Sequence, residues 1–405
     1  MRILIHSINY APELTGIGKY TAEMAEWLVN AGHEVKVVTA PPYYPTWRVA
    51  DGYQGMRYRK ECLNDVIVWR CPIWVPSKPS GIKRILHLAV YALSSFPIML
   101  LQAGWRPDLV MVIEPPLFCA PQAWIVSRLS GAKAWLHVQD FEVDAAFELG
   151  IVSSKILQRV LTRFEGRLLC AFDRVSTISS AMLGRLHSKG LPVDKTLQFP
   201  NWVDTQTIHP DPGGGLRMRQ ILSLDPAQVV VLYSGNMGEK QGLEILVDAA
   251  YRLKQRTDIT FVICGEGAAK ARLIQQADGL SNIKFIPLQP KETFNQFLNI
   301  ADIHVLPQRF DAADLVMPSK LTGILACGGA LIATSLPGTE VYHTVRQAGG
   351  LLCTPGDVER LSELITMLAS DPGLRLQMGL QARQYAKDHL SKESILACFN
   401  SNLYL

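Results

Sequence analysis

The sequence predicts an α/β fold built from two parallel-sheet domains, and three observations carry that prediction. Short apolar runs alternate with amphipathic segments along nearly the whole chain, the pattern of βα units. That alternation lapses near residues 199–215, where "HPDPGGGLRMR" gathers Pro210, Pro212 and three glycines, and then begins again. The length of 405 residues is too great for one ordinary core and suits two. The expected boundaries are 1–200, 201–385 and a tail at 386–405 that returns to the N-terminal domain.

The first domain opens with the strand "RILIHSI". A glycine loop follows, with Gly16 and Gly18, and then a helix carrying Ala22, Met24, Ala25, Leu28 and Val29. Gly32 closes the helix, and "HEVKVVTA" is the next strand. This unit invites a dinucleotide reading, and two details oppose it. Thr21 stands where the third fingerprint glycine belongs, and Thr39-Ala40-Pro41 replace the acidic residue expected at the end of the second strand. A plain turn and a loop facing a cleft between two domains remain.

Residues 85–105, "ILHLAVYALSSFPIMLLQAGW", carry no formal charge and approach the length of a membrane span. Pro97 interrupts the run, and Lys78, Lys83, Arg84 and Arg106 flank it. Three readings stay open: a helix buried in the first domain, a helix lying on the membrane surface, and a span. Strands follow at "DLVMVIEPP", "KAWLHVQD" and "RVSTIS", with helices at "PQAWIVSRLSG", "SSKILQRVLTRFEGRLLCAF" and "SAMLGRLHSKG".

The second domain has strands at "VVVLYSG", "ITFVICGEG", "IKFIPL", "DIHVLP", "ALIAT" and "GLLCTP". Its helices are "GLEILVDAAYRLKQR", "AKARLIQQA", "ETFNQFLNIA", "SKLTGILACG" and "VERLSELITMLAS". A last helix near 373–389 leads to an apolar tail, and no short repeat recurs. Ligands of such sheets bind beyond the carboxyl ends of strands, which places the expected site in the interdomain cleft.

Composition narrows the function. The chain is 48% hydrophobic and 19% charged, which excludes disorder. A net charge of +4 with no long basic run gives no support to nucleic-acid binding. Eight cysteines without a C-x-x-C pair suit reduced, buried thiols in the cytoplasm. The opening residues show no signal-peptide pattern, and the expected location is cytoplasmic.

The strongest chemical signal is "DAADLVMPSKLTGILACGG", residues 311–329. Pro318 suits a first helical turn, Ser319 and Lys320 follow, and Gly328-Gly329 stop the helix. A helix start with a hydroxyl and a lysine is an anion site, and Asp314 upstream is a carboxylate acceptor for a hydroxyl-rich ligand. "YSGNMGEKQGLEIL" places Gly235, Asn236, Gly238 and Lys240 on a strand-end loop, and "CGEG" adds Gly265 and Glu266. Each loop alone is an ordinary turn, and together they line one sheet edge. In the first domain His137 and Asp140 end one strand and Glu114 another. No D-x-D occurs, so a carboxylate-held metal is not suggested, and a helix dipole with lysine would neutralise a diphosphate instead.

Taken in order, the Gly16–Gly18 loop, "FPNWVD", "SGNMGEKQGLE", "GEG", "ADIHVLP" and "MPSKLTGILACGG" resemble the retaining GT-B glycosyltransferases of family 4 over essentially the whole chain. The likeness is strongest to the colanic-acid type of exopolysaccharide glycosyltransferase. It implies two Rossmann-like domains facing a cleft and a nucleotide-diphosphate-sugar donor, GDP-fucose by subfamily. It also implies a polyprenyl-diphosphate-linked sugar acceptor, no cofactor, no metal, and a peripheral place on the inner face of the cytoplasmic membrane. Implied catalytic residues are His137, Asp140 and Asp314. Implied diphosphate contacts are Gly16, Gly18, Asn236, Lys240, Ser319 and Lys320, and nucleotide contacts Gly235, Gly265, Glu266 and Leu288.

Two departures bear on these roles. Relatives carry two glutamates with seven residues between them before A-C-G; here those positions hold Leu315 and Gly323, which moves the sugar contact to Asp314. The arginine after the strand-end glycine is Asn236, leaving more phosphate charge to Lys240. The alternatives are a nucleotide-sugar epimerase of the same architecture and a non-catalytic sugar-nucleotide-binding module.

Overall fold

A computed structural model describes residues 1–13, 16–77, 81–148, 155–238, 241–310 and 319–404. The chain forms two compact units. One comprises Met1–Pro200 with Phe399–Leu405, the other Asn201–Cys398.

The first unit runs β1 (Arg2–His6), α1 (Gly16–Asn30), β2 (Glu34–Thr39), β3 (Arg59–Leu63), β4 (Val66–Arg70), α2 (Gly81–Ala103), β5 (Leu109–Glu114), α3 (Ala120–Ser130), β6 (Lys133–Val138), α4 (Glu142–Glu148), α5 (Lys155–Ala171), β7 (Arg174–Thr177), α6 (Ser180–Ser188) and β8 (Thr196–Gln198). Its sheet has the order β3-β4-β2-β1-β5-β6-β7-β8, and every pair is parallel except β3–β4. Ile3 is in register with Val35 on one side and Leu109 on the other, so strand order reverses at β1. All six residues of β5 are buried, as a strand covered on both faces requires. The β3–β4 hairpin was not expected from sequence. Its turn is Asn64-Asp65, both at positive φ (49° and 63°), the backbone that a two-residue turn between twisted strands demands.

The second unit runs α7 (Pro212–Ile221), β9 (Val229–Ser234), α8 (Glu244–Arg252), β10 (Ile259–Cys264), α9 (Lys270–Gln276), β11 (Ile283–Ile286), α10 (Phe294–Leu298), β12 (Ile303–Leu306), α11 (Ser319–Ala326), β13 (Leu331–Thr334), α12 (Glu340–Gln347), β14 (Leu351–Cys353), α13 (Val358–Ser370), α14 (Pro372–His389) and α15 (Lys392–Asn402). Its parallel sheet has the order β11-β10-β9-β12-β13-β14, reversing between β9 and β12. Val231, Ile263, Val305 and Ile332 from four adjacent strands join Leu246, Leu361 and Ile365 from the helices in one buried cluster.

One segment departs from expectation. The Pro/Gly stretch near 210 is not a break but the start of α7. Pro212 occupies its first turn, and the Asp211 side chain accepts from the Gly214 amide at 2.8 Å. Gly214 and Gly215 serve close packing, since a Cβ on Gly215 would collide with the Asn299 carbonyl. The tail beyond 389 is α15. It leaves the second unit and ends in the first, where Phe399 stacks on Phe199 at 4.4 Å and meets Trp135 edge-on at 5.0 Å.

Five cysteines are buried, while Cys62 and Cys398 are exposed and all are free thiols, so burial holds for most of the set and not for all.

Candidate active site

In the second unit the site is built where β9 and β12 part. The loops after β9 and β10 interlock through their backbones. Gly235 N–H donates to Cys264 O at 2.9 Å, and Met237 N–H donates to Glu266 O at 2.8 Å. Gly235, Gly265 and Gly267 make this possible. Each has a φ between +146° and +155°, and a Cβ on Gly265 or Gly267 would strike the backbone oxygen of Gly235 or Met237. Glycine alone adopts such backbone without strain and gives that clearance.

Lys320, in the first turn of α11, reaches across this loop. Its stem lies where a Cβ on Gly235 would be, and its ammonium donates to the Tyr233 hydroxyl at 2.6 Å, 4.7 Å from the ring centre. The Tyr233 hydroxyl donates in turn to the Asn236 carbonyl at 2.6 Å. Burial pushes the Tyr233 phenol up, so it stays a neutral donor. Ser319 begins α11, whose first-turn amides have no intrahelical acceptor and carry the positive end of the helix dipole. The structure therefore joins Gly235, Asn236, Gly265, Ser319 and Lys320 at one sheet edge. The Glu266 carboxylate pairs with Lys270 at 2.6 Å on the surface, and Leu288 is exposed beyond β11. Lys240 and Asp314 lie outside the described residues.

Arg309 was not singled out in the sequence. It follows β12, and its Cγ would be 2.8 Å from a Cβ on Gly242, which sits at φ +62° in the loop before α8. A cation two residues past a strand end, in "HVLPQR", was the available signal.

The first unit holds three of the expected residues, Gly16, Gly18 and His137, in defined surroundings. Gly18 is buried beneath the Glu13 side chain, and a Cβ there would lie 2.7 Å from Glu13 Oε2. Glu13 accepts from the Tyr43 and Tyr44 amides at 2.8 and 2.9 Å and from Asn9 Nδ2 at 2.8 Å. The space where a Gly18 side chain would lie is therefore filled by the chain's own carboxylate. Gly16, exposed at φ +59°, starts α1.

His137 lies near the carboxyl end of β6. It is 3% exposed, with Nδ1 2.9 Å from Ser176 Oγ, Nε2 3.0 Å from Gln139 Nε2, and its ring against Phe199. Burial holds it neutral, its pKa lowered to about 3. Both nitrogens have a polar neighbour at the carboxyl end of β6. Asp140, in the bend after β6, is exposed. Glu114 is wholly buried, and burial with Glu142 and Glu165 nearby pushes its carboxyl well up into the neutral form.

Residues 15–202 match the glycosyl transferase 4-like domain, and residues 216–385 match the glycosyl transferases group 1 family. Over its whole length the chain is 42% identical to WcaI of Escherichia coli (strain K12), a glycosyl transferase named for colanic acid biosynthesis, covering all of both chains. The chain is a family 4 glycosyltransferase.

Other relatives of this glycosyltransferase are more distant. A GDP-mannose-dependent phosphatidylinositol monomannoside mannosyltransferase of Mycobacterium tuberculosis is 23% identical over 95% of this chain and 93% of its own. Among solved structures, sucrose-phosphate synthase of Thermosynechococcus elongatus superposes with a TM-score of 0.76 at 17% identity, covering 99% and 97% of the two chains. HepE of Anabaena, solved with UDP, gives 0.70 at 17% identity over the full length of both. These neighbours share the GT-B fold of two Rossmann-like domains. The epimerase alternative finds no support, because the full-length relative is a glycosyl transferase.

Proposed function

We propose that this glycosyltransferase moves a sugar, with retention, from a nucleotide-diphosphate sugar to a polyprenyl-diphosphate-linked oligosaccharide in colanic-acid-like exopolysaccharide assembly. GDP-fucose is the proposed donor, and the cytoplasmic face of the membrane the proposed place of reaction. The observation that supports this most is Lys320 lying across Gly235 at the reversal between β9 and β12. There a cation and a helix N-terminus meet one strand-end loop, the arrangement that suits a diphosphate. The identity to WcaI supports the pathway.

In the transfer the bond from C1 of the sugar to the diphosphate breaks. The acceptor hydroxyl loses its proton and forms the new C1–O bond on the same face. Charge grows on the departing diphosphate, and donors that tighten there lower the barrier. Lys320, the amides at Ser319, and Lys240 are assigned to that charge. Asp140 and Asp314 are assigned to the reacting sugar and acceptor, Gly16 and Asn236 to the phosphates, and Gly265, Glu266 and Leu288 to the nucleoside. No metal is required in this scheme.

The test is product analysis with labelled nucleotide sugars and extracted lipid-linked acceptor. A glycoside of unchanged anomeric configuration is expected, with free nucleoside diphosphate. An inverted product, or an epimerised nucleotide sugar formed without acceptor, would overturn the reading. Activity should survive EDTA; loss with EDTA and recovery with magnesium would show that a cation, not Lys320, neutralises the diphosphate.

A further inference from the structure

Helix α2 buries a mixed face: Ala92, Ile98 and Met99 lie inward beside a polar series, His87, Tyr91 and Ser95, with Gln102 two turns on. Each polar residue is tied to the unit beneath. His87 Nδ1 is 2.6 Å from the Trp74 carbonyl. The Tyr91 hydroxyl reaches the Ser7 and Val38 carbonyls at 3.0 and 3.1 Å, at the ends of β1 and β2. Ser95 Oγ is 3.0 Å from His6 Nε2, and Gln102 Oε1 accepts from Lys36. The outward residues are apolar: Ile82 is 79% exposed, Leu93 76% and Leu101 66%, with Ile85, Leu86 and Leu100 also exposed.

The apolar stripe continues beyond the helix. The Tyr58 hydroxyl donates to the Ser94 carbonyl at 2.9 Å, which brings the exposed Tyr58 against α2. Positive charge predominates around the patch. Lys83 and Arg84 are exposed at one end of α2 and Arg106 just past the other, where Asp108 is also exposed, and no Asp or Glu occurs from Val66 to Pro107.

We infer that this face of α2 docks in the plane of an anionic lipid bilayer, with Lys83, Arg84 and Arg106 at the headgroups. α2 is long and apolar enough to cross a membrane by length and composition. Spanning would tear Tyr91, Ser95 and His87 from their partners and carry them into hydrocarbon, which no apolar gain on the far side repairs. Lying flat keeps every inward bond and buries the outward side chains at the headgroup–acyl boundary, where tyrosine also sits well. A second copy is a poorer occupant. Antiparallel pairing of two such helices would set Lys83 and Arg84 against Arg106, an excess of positive charge that Asp108 alone does not balance. Lipid phosphate complements those charges instead.

The docking rests on the proposed lipid-linked acceptor for its purpose, and its test is separate from that reading. Full-length protein is floated with phosphatidylglycerol/phosphatidylethanolamine vesicles and with phosphatidylcholine vesicles at low salt. The parent should float strongly with the anionic set. Leu93→Glu/Leu101→Glu, both at exposed positions, should bind at least tenfold less to either set with an unchanged melting curve. Lys83→Glu/Arg84→Glu should lose roughly thirtyfold on anionic vesicles only.

A parent that stays in solution, or leucine variants that float as it does, would overturn the docking. So would a concentration-dependent dimer in sedimentation velocity that the leucine variants abolish while flotation is unmoved, since the face would then be self-associating. Transfer to detergent-solubilised acceptor reads the enzymatic proposal alone. Its presence without flotation removes only the docking, and flotation without transfer removes only the acceptor.

Discussion

A methyl group at Gly235 would displace the Lys320 stem, so the glycine and the lysine act as one device. Lys320→Ala should leave the fold intact, because the side chain is only half-buried and the Tyr233 hydroxyl it donates to keeps its own bond to the Asn236 carbonyl. It should lower kcat about a hundredfold, on the order of 3 kcal/mol of transition-state stabilisation, as steady-state kinetics would show. Gly235→Ala should slow transfer comparably and lower the melting temperature as well, since φ +146° strains any other residue. A second residue-scale prediction concerns pH. Burial raises the Glu142 carboxyl to about 7, while it accepts from the Leu117 amide at 2.6 Å. The folded chain keeps that proton after the unfolded chain has released it near 4.5, so this contribution is full below pH 4.5 and lost as pH rises through 7. Glu142→Gln keeps the acceptor and removes the loss. Thermal melts at pH 5 and pH 8 should differ less for the variant than for the parent, by on the order of 3 kcal/mol. Ser319, Lys320 and the strand-end glycines were legible in the sequence because charge and glycine at strand ends have few other uses. Glu13 and His137 were not: alternation along a strand does not say which polar side chain another element covers.

At the scale of elements, α7 shows how local chemistry misleads. Two prolines and three glycines within six residues read as a break, yet Pro212 fits a first helical turn and the glycines admit the α10 backbone. Gly215→Ala should therefore destabilise rather than favour the helix, despite alanine's better propensity, by roughly 2–3 kcal/mol in urea unfolding. The β3–β4 hairpin was hidden for a related reason. Its residues, "RKEC" and "VIVWR", lie on an antiparallel sheet edge with a half-exposed partner strand, so the apolar signal is weak. The Asn64-Asp65 turn was the legible part. The long parallel strands were clear because both faces are buried. The charge-free run after residue 84 was clear as a segment and opaque as to side, since its polar residues mark the face turned inward.

For the molecule as a whole, the alternation of strands and helices and its single lapse foretold two sheets, while the contacts that the last residues make needed coordinates. Phe399, 1% exposed, fills the space between Phe199 and Trp135, and His33 Nε2 is 2.7 Å from Asn400 Oδ1. Phe399→Ala should cost about 3–5 kcal/mol, read as a fall in the melting transition of the first unit. That placement also sets an order of events during synthesis. The first unit is translated first, but the phenylalanine that completes its interior leaves the ribosome only after the whole of the second unit has been made. Residues 1–200 must wait with Trp135 and Phe199 uncovered, and the half that begins folding earliest is finished last.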